Sequence, residues 1–331
     1  GGVSLAARRG IVVRDPAVLE RLESCRTVIF DKTGTLTYGR PTLTDVTPVG
    51  TWTRREALAL AASLEQYSKH PLAGAVLAAA RAEGIPLSVP DAIAELPGRG
   101  LTGRVGGRRV ELTGRKSIGG PLPPSMPGLE AVLVVDGTPA AVLRFRDEPR
   151  EDSRSLVEHL APRHGVARVM LVSGDRLAEV TDLAHRIGIT EIRGGQSPED
   201  KVRIVREETQ HAPTLFVGDG INDAPALAAA TVGVAFGRSN DVIAEAAGAV
   251  LLDTSLVKVD ELFHIARRLR RIALQSAILG MALSTAGMAV AAAGYLTPVA
   301  GAVLQEAIDV LAIANALRAS RAPRSLHDYA R

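Results

Sequence analysis

The sequence predicts an α/β protein: a doubly wound parallel sheet, interrupted by an α+β insert and followed by a pair of apolar helices. Three observations predict this. An apolar run at residues 28–30 ends in Asp31 and a small polar loop, Lys32-Thr33-Gly34-Thr35. Two further apolar runs, at 168–172 and 214–217, end in Ser173-Gly174-Asp175 and Gly218-Asp219-Gly220, and helical spacing comes after each. No charged residue occurs between positions 272 and 305.

Composition narrows the class. A chain of 331 residues is too long for one ordinary core, so two or three domains are expected. Hydrophobic residues make up 46% but aromatics only 3%, so any membrane helices are built from Ala, Leu, Val, Ile and Gly. A net charge of +3, from 39 basic and 36 acidic residues, gives no electrostatic case for nucleic acid as a partner. Arg outnumbers Lys, as in GC-rich bacterial genomes. The single Cys25 excludes an internal disulfide, suits a reducing compartment and reads as packing.

Along the chain, residues 16–24 carry apolar positions at helical spacing before the first strand. A strand over 43–49 enters the insert, and Ala/Leu-rich helices span 56–64 and 72–81. Strands are expected at 103–112, 131–135 and 140–145, with Asp136-Gly137 as a hairpin turn and 121–127 as a Pro-rich surface loop. The sheet then resumes with helices at 153–160, 177–186 and 199–208 and strands at 168–172, 214–217, 232–236 and 250–252. The uncharged run is long enough for one span and the start of another, at about 20 residues each. Gly294, Thr297 and Pro298 mark the turn between them. Arg267, Arg268, Arg270 and Arg271 precede the pair and Arg318, Arg321 and Arg324 come after it, which puts both outer ends in the cytoplasm.

Asp31 projects from the carboxyl end of its strand, where open α/β sheets bind ligands. Gly34 lets backbone approach a phosphate, and Thr33 and Thr35 offer amides and hydroxyls to it, so Asp31 is a candidate nucleophile toward a phosphoryl group. Asp219, at a strand end beside it, adds a carboxylate of the kind that holds Mg²⁺. Lys201 opens a helix after Ser197-Pro198-Glu199-Asp200 and supplies a fixed cation for phosphoryl oxygens.

The string from Val28 through Asp31-Lys32-Thr33-Gly34-Thr35-Leu36-Thr37, with Gly218-Asp219-Gly220-Ile221-Asn222-Asp223-Ala224-Pro225, resembles the signature of the P-type ATPases. The resemblance extends over nearly the whole chain and is closest to their heavy-metal-transporting (type IB) branch. It implies a haloacid-dehalogenase-like fold in which Asp31, flanked by Lys32, becomes a phosphoenzyme. It also implies that Asp219, Asp31 and the Thr33 carbonyl hold Mg²⁺, that Asn222 and Asp223 orient phosphate and water, and that Lys201 neutralises the transferring group. Ser173, Gly174 and Asp175 stand where the family has Thr-Gly-Asp. Phosphatases of the same fold carry a second Asp two residues after the nucleophile, which protonates the leaving group and then activates water. Here that position is Thr33, so the aspartyl phosphate is expected to persist.

In the insert, Glu65, Ser68, His70 and Pro71, with Gly98 and Gly100 later in the chain, resemble the nucleotide-binding domain of the same branch. Glu65 and His70 would face the adenine of ATP, and Gly98 and Gly100 would let backbone approach the nucleotide. Arg115 stands where Asn is usual, as a possible phosphate partner.

In the second apolar stretch Gln305, Glu306 and Asp309 share one helical face, and a carboxylate at mid-membrane costs about 2.5–3.5 kcal/mol. Oxygen ligands favour harder divalent ions over Cu⁺. Gln-Glu-x-x-Asp resembles a subgroup linked to nickel or iron, and the Tyr-Asn and Met-x-x-Ser-Ser of copper-type members are missing. Cobalt and zinc stay open as cargo.

Residues 1–14 resemble the family's passage from a membrane helix into the catalytic domain. The expectation is a C-terminal portion of a multi-pass protein of the bacterial cell membrane, with its catalytic domains in the cytoplasm. The partner region would hold an actuator domain and six membrane helices. The expected division is a connecting segment at 1–20, a phosphorylation domain at 21–41 and 144–263, a nucleotide domain at 42–143, two spans within 264–320 and a tail at 321–331. A soluble phosphohydrolase and a non-enzymatic, nucleotide-sensing membrane regulator are the alternatives.

Overall fold

The computed structural model describes residues 1–96, 100–126, 128–219, 221–237, 245–253 and 255–321. They form two compact units, one of Gly1–Leu36 with Glu151–Arg331 and one of Thr37–Arg150.

The first unit opens with α1 (Gly2–Arg8), β1 (Ile11–Val13) and α2 (Pro16–Leu22). Asp15 caps α2 by accepting from the Ala17 amide at 2.9 Å, and Pro16 sits at the first helical position, where its missing N–H costs nothing. The strand β2 (Thr27–Asp31) is buried at every position. Cys25, just before it, is also buried, and burial pushes its thiol up to about 12 against the pull of Arg26, which leaves it a packing residue.

The second unit is an antiparallel sheet with two helices. Its elements are β3 (Thr42–Pro48), α3 (Arg54–Glu65), α4 (Ala73–Ala82), β4 (Asp91–Leu96), β5 (Gly100–Val105), β6 (Arg108–Gly114), β7 (Leu129–Val135) and β8 (Thr138–Arg146). The strand order is β3-β8-β7-β6-β5-β4. Thr53 and Glu56 form a reciprocal capping box that starts α3. Leu58, Ala61 and Leu64 of α3 and Val76 of α4 share one buried cluster with Val110, Leu133 and Leu143 of the sheet. Asp136 and Gly137, with φ of +52° and +82°, make the expected tight hairpin. The single strand expected at 103–112 is two strands, because Gly106 and Gly107, with φ of +58° and +79°, turn the chain back on itself.

The first unit then continues with α5 (Ser153–His164), β9 (Arg168–Val172), α6 (Leu177–Ile187), β10 (Glu191–Arg193), α7 (Pro198–His211), β11 (Thr214–Gly218), α8 (Ala224–Ala229), β12 (Val232–Phe236) and β13 (Ala249–Leu251). Its seven-stranded sheet has the order β1-β13-β12-β11-β2-β9-β10, parallel except for the edge strand β1. Among these strands β2 lies between β9 and β11, with Asp31 opposite Val172 and Phe30 opposite Val217. The loops after three adjacent strands therefore open at one carboxyl edge.

Two long helices close the chain. α9 (Val257–Ala292) has 36 residues, about 54 Å at 1.5 Å per residue. Its beginning is buried, including Leu262, Phe263 and Ile265, whereas Leu274, Ile278, Leu279 and Met281 are exposed. α10 (Pro298–Leu317) returns alongside it, opened by Thr297 and Pro298. Arg268 donates to the carbonyls of Arg318 at 2.9 Å and Arg321 at 3.3 Å, which ties the outer ends of the pair at one level. Both helices are long and apolar enough to cross a membrane.

Candidate active site

The loop after β2 is shaped by two unlike residues. Thr33 is extended, at φ −77° and ψ 130°, and its amide donates to Asp31 Oδ2 at 3.1 Å. Gly34 is left-handed, at φ +73°. A Cβ at Gly34 would overlap the Asp219 carboxylate, so glycine here makes room for a carboxylate as well as for the turn. Gly218 plays a related part, since a Cβ there would sit 2.8 Å from Asp223 Oδ2.

Around this loop three carboxylates converge. Oxygens of Asp31, Asp219 and Asp223 lie within 4.8 Å of one another. Lys201, in the first turn of α7, donates to Asp31 Oδ1 at 2.6 Å and to Asp223 Oδ1 at 2.8 Å. The Ser197–Asp200 capping box fixes that turn and hence the lysine. Burial pushes the Asp31 carboxyl up to about 7; Asp223 and Asp219 add to this and Lys201 opposes it. Burial works against the Lys201 ammonium, but Asp31 and Asp223 raise its pKa above the ordinary lysine value.

Three carboxylates against one ammonium leave negative charge in excess at a strand-end loop. That donor set fits a hard, oxygen-seeking divalent ion such as Mg²⁺, with Asp31 and Asp219 as its carboxylates.

The flanking loops complete the edge. Ser173 is buried, and its hydroxyl accepts from the Asp175 amide at 3.1 Å. A Cβ at Gly174 would stand 3.2 Å from the Gln196 carbonyl. Asp175 forms an ion pair with Lys32, a link the sequence did not indicate although it marked both residues. Thr35 is buried, and Asn222 is exposed on the short turn Ile221–Asp223.

The second unit has its own cleft, of about 560 Å³, lined by Glu65, Ser68, His70, Gly100 and Gly114 among others. Glu65 is buried, its Oε2 has no hydrogen-bond partner among the described residues, and burial raises its pKa. His70 Nδ1 accepts from the Leu72 amide at 3.2 Å, which places the proton of the neutral ring on Nε2. A buried carboxylate oxygen and a ring N–H at the wall of an apolar cleft suit a heteroaromatic ligand that both donates and accepts. Glu95 and Glu130 also line it; Glu95 accepts from the Ser68 hydroxyl and the Lys69 amide, both at 3.3 Å. No motif pointed to either glutamate, because only strand register brings them to the wall. Arg115 is not in that wall: it pairs with Glu130 at 2.9 Å and donates to the Pro123 carbonyl. Gly98 lies outside the described residues.

On α10, Gln305 donates to Asp309 Oδ1 at 3.2 Å and accepts from the Ser284 hydroxyl of α9 at 3.1 Å. Glu306 is exposed beside them.

A model of the haloacid dehalogenase-like hydrolases matches residues 25–231. The zinc/cadmium/lead-transporting P-type ATPase of Escherichia coli (strain K12) is 35% identical over 330 residues, 97% of this chain and 44% of that protein. A probable cobalt/nickel-exporting P-type ATPase of Mycobacterium bovis (strain ATCC BAA-935 / AF2122/97) is 34% identical over 96% of this chain and 49% of its own length. Among solved structures, a zinc-transporting PIB-type ATPase superposes with a TM-score of 0.85 at 30% identity, over 97% of this chain and 54% of the other. The chain thus spans about half the length of the relatives it matches.

Proposed function

We propose a function from one premise: the chain belongs to the haloacid dehalogenase-like hydrolases and carries the catalytic domains of a heavy-metal P-type ATPase. ATP binds with its base in the Glu65–His70 cleft, and an Asp31 oxygen attacks the γ-phosphorus. The new bond joins carboxylate oxygen to phosphorus, and the bond that breaks frees ADP. Lys201, already 2.6 Å from Asp31, offsets the charge on the transferring oxygens. A magnesium ion held by Asp31 and Asp219 supplies further charge neutralisation when bound. Ser173 and the Thr33 and Thr35 loop orient the phosphoryl group by hydrogen bonds.

Thr33 sets the lifetime of the acyl phosphate. It has no carboxyl group with which to activate water, so the phosphoenzyme lasts long enough to drive a second domain. In the whole protein that work is export of a divalent transition metal through a membrane, past the oxygen donors of Gln305, Glu306 and Asp309. Relatives named for zinc, cobalt and nickel and the hard character of those donors support a divalent cargo. The partner for dephosphorylation is an actuator domain with further membrane helices, supplied by the remainder of such a protein.

The observation that carries the reading is the Asp31–Lys201–Asp223 bridge with Asp219 beside it at one sheet edge. Acid-quenched incubation with ATP labelled at the γ-phosphate tests it. A Mg²⁺-dependent, acid-stable label released by hydroxylamine is expected. Free phosphate without trapped label would instead indicate a soluble-type phosphohydrolase, and nucleotide binding without either would indicate a sensor.

A further inference from the structure

Three of the chain's seven histidines meet on a carboxylate that takes no part in the phosphorylation site. Asp260, in the first turn of α9, is fully buried. Its Oδ1 lies 2.6 Å from His164 Nε2, 3.2 Å from His159 Nε2 and 3.5 Å from His264 Nε2. His159 and His164 come from α5, whereas Asp260 and His264 stand one turn apart on α9. One ligand atom from each of the four lies within 4.8 Å of all the others.

A hydrogen-bond network alone accounts poorly for this arrangement. Three imidazole nitrogens crowd one carboxylate oxygen, yet Asp260 Oδ2 is buried without a hydrogen-bond partner among the described residues. His164 Nδ1 is buried in the same condition. An unsatisfied buried polar group is costly, and such atoms in a native fold often mark a missing ion. The rings are also held in place: His164 stacks on Phe263 at 4.7 Å and meets His159 and His264 edge-on at 5.2 and 5.0 Å.

We propose that His159, His164, His264 and Asp260 bind one divalent transition-metal ion of the zinc, cobalt or nickel class and so clamp α5 to the root of α9. Three imidazoles and a carboxylate suit borderline ions better than Mg²⁺, which prefers oxygen, or Cu⁺, which prefers sulfur. Tetrahedral bonds of about 2.0–2.1 Å separate ligand atoms by about 3.3 Å. The three nitrogen–oxygen distances of 2.6–3.5 Å bracket that value, so the His164–Asp260 pair has to open by less than 1 Å. His264, at 24% side-chain exposure, gives the ion its way in. Because α9 continues unbroken into the apolar pair, an ion here stiffens the joint between the parallel-sheet unit and that pair. The clamp is independent of nucleotide chemistry and of the α10 oxygen donors.

Cobalt titration of the detergent-solubilised chain, without a polyhistidine tag and carrying Asp309→Asn to silence α10, tests the site. One Co²⁺ per chain with the visible bands of a four- or five-coordinate nitrogen–oxygen site is expected. His264→Ala, at the solvent-facing rim, should weaken chelator-competed Zn²⁺ binding by at least about ten-fold, since even outer partners of metal ligands contribute that much. His159→Gln with His264→Ala should abolish the bands and the rise in melting temperature on adding Zn²⁺. Should the double variant misfold, His264→Ala with an unchanged circular dichroism spectrum carries the test. Unchanged affinity and bands in His264→Ala, or a parent chain whose cobalt spectrum stays that of the aqueous ion, would overturn the proposal.

Discussion

Asp31 and Asp260 are both buried carboxylates ringed by titratable groups, and their surroundings give them opposite chemistry. Asp31 ends a strand, where backbone amides, two more carboxylates and one lysine gather at an open sheet edge. Oxygen and ammonium are hard groups, suited to phosphate and magnesium. Asp260 sits on a helix face among three imidazoles, with no sheet edge and no amide nest beside it among the described residues. Burial alone therefore does not assign a carboxylate its role. The element that carries it fixes which partners can reach it, and the partners fix which ion or group it will take.

The sharpest way to break the comparison is Asp31→Asn. It removes the proposed nucleophile while keeping shape, and labelling from γ-labelled ATP should fall by more than about three orders of magnitude. Label retained in that variant would show that the strand-end carboxylate is not the acceptor. Thr33→Asp is next. It places an acid–base carboxyl two residues after Asp31, and the lifetime of the label, tracked by chase with unlabelled ATP, should shorten by about 10²–10⁴-fold. Lys201→Met leaves Asp31 and Asp223 facing each other without their cation, and single-turnover phosphorylation should slow by about 10²–10³-fold, with partial recovery in Lys201→Arg. Glu65→Ala should have the smallest effect. It removes one buried acceptor from the cleft and should weaken ATP binding, measured by calorimetry, by about ten-fold, one hydrogen bond's worth.

The two clusters also differ in how far they could be read from the chain. The Asp31 site was legible because each part lies in a short contiguous string at a strand end. Parallel pairing then places Asp31 opposite Val172 and Phe30 opposite Val217. Length and lack of charge made the apolar pair equally legible. The elements that escaped are short: β1 and β10 are three residues long and α1 and α8 seven and six, too short for a clear periodicity, and β4 is defined by its pairing with β5. The Gly106-Gly107 turn was masked by alternation on both sides of it. In the cleft, Glu95 and Glu130 reach the wall through register, and Arg115, outside that wall, pairs with Glu130. The histidine cluster left no local trace, since His164 and Asp260 are 96 residues apart and meet only when α5 packs on α9.

The most direct test of Asp31 as phosphoryl acceptor is chemical mapping of the phosphorylated residue. Borohydride reduction of the acid-quenched protein after reaction with ATP and Mg²⁺ converts an aspartyl phosphate to homoserine, which peptide mass spectrometry locates. Homoserine at position 31, dependent on ATP, is the predicted result. Its absence there under conditions that trap label, or its appearance at another aspartate, would contradict the assignment.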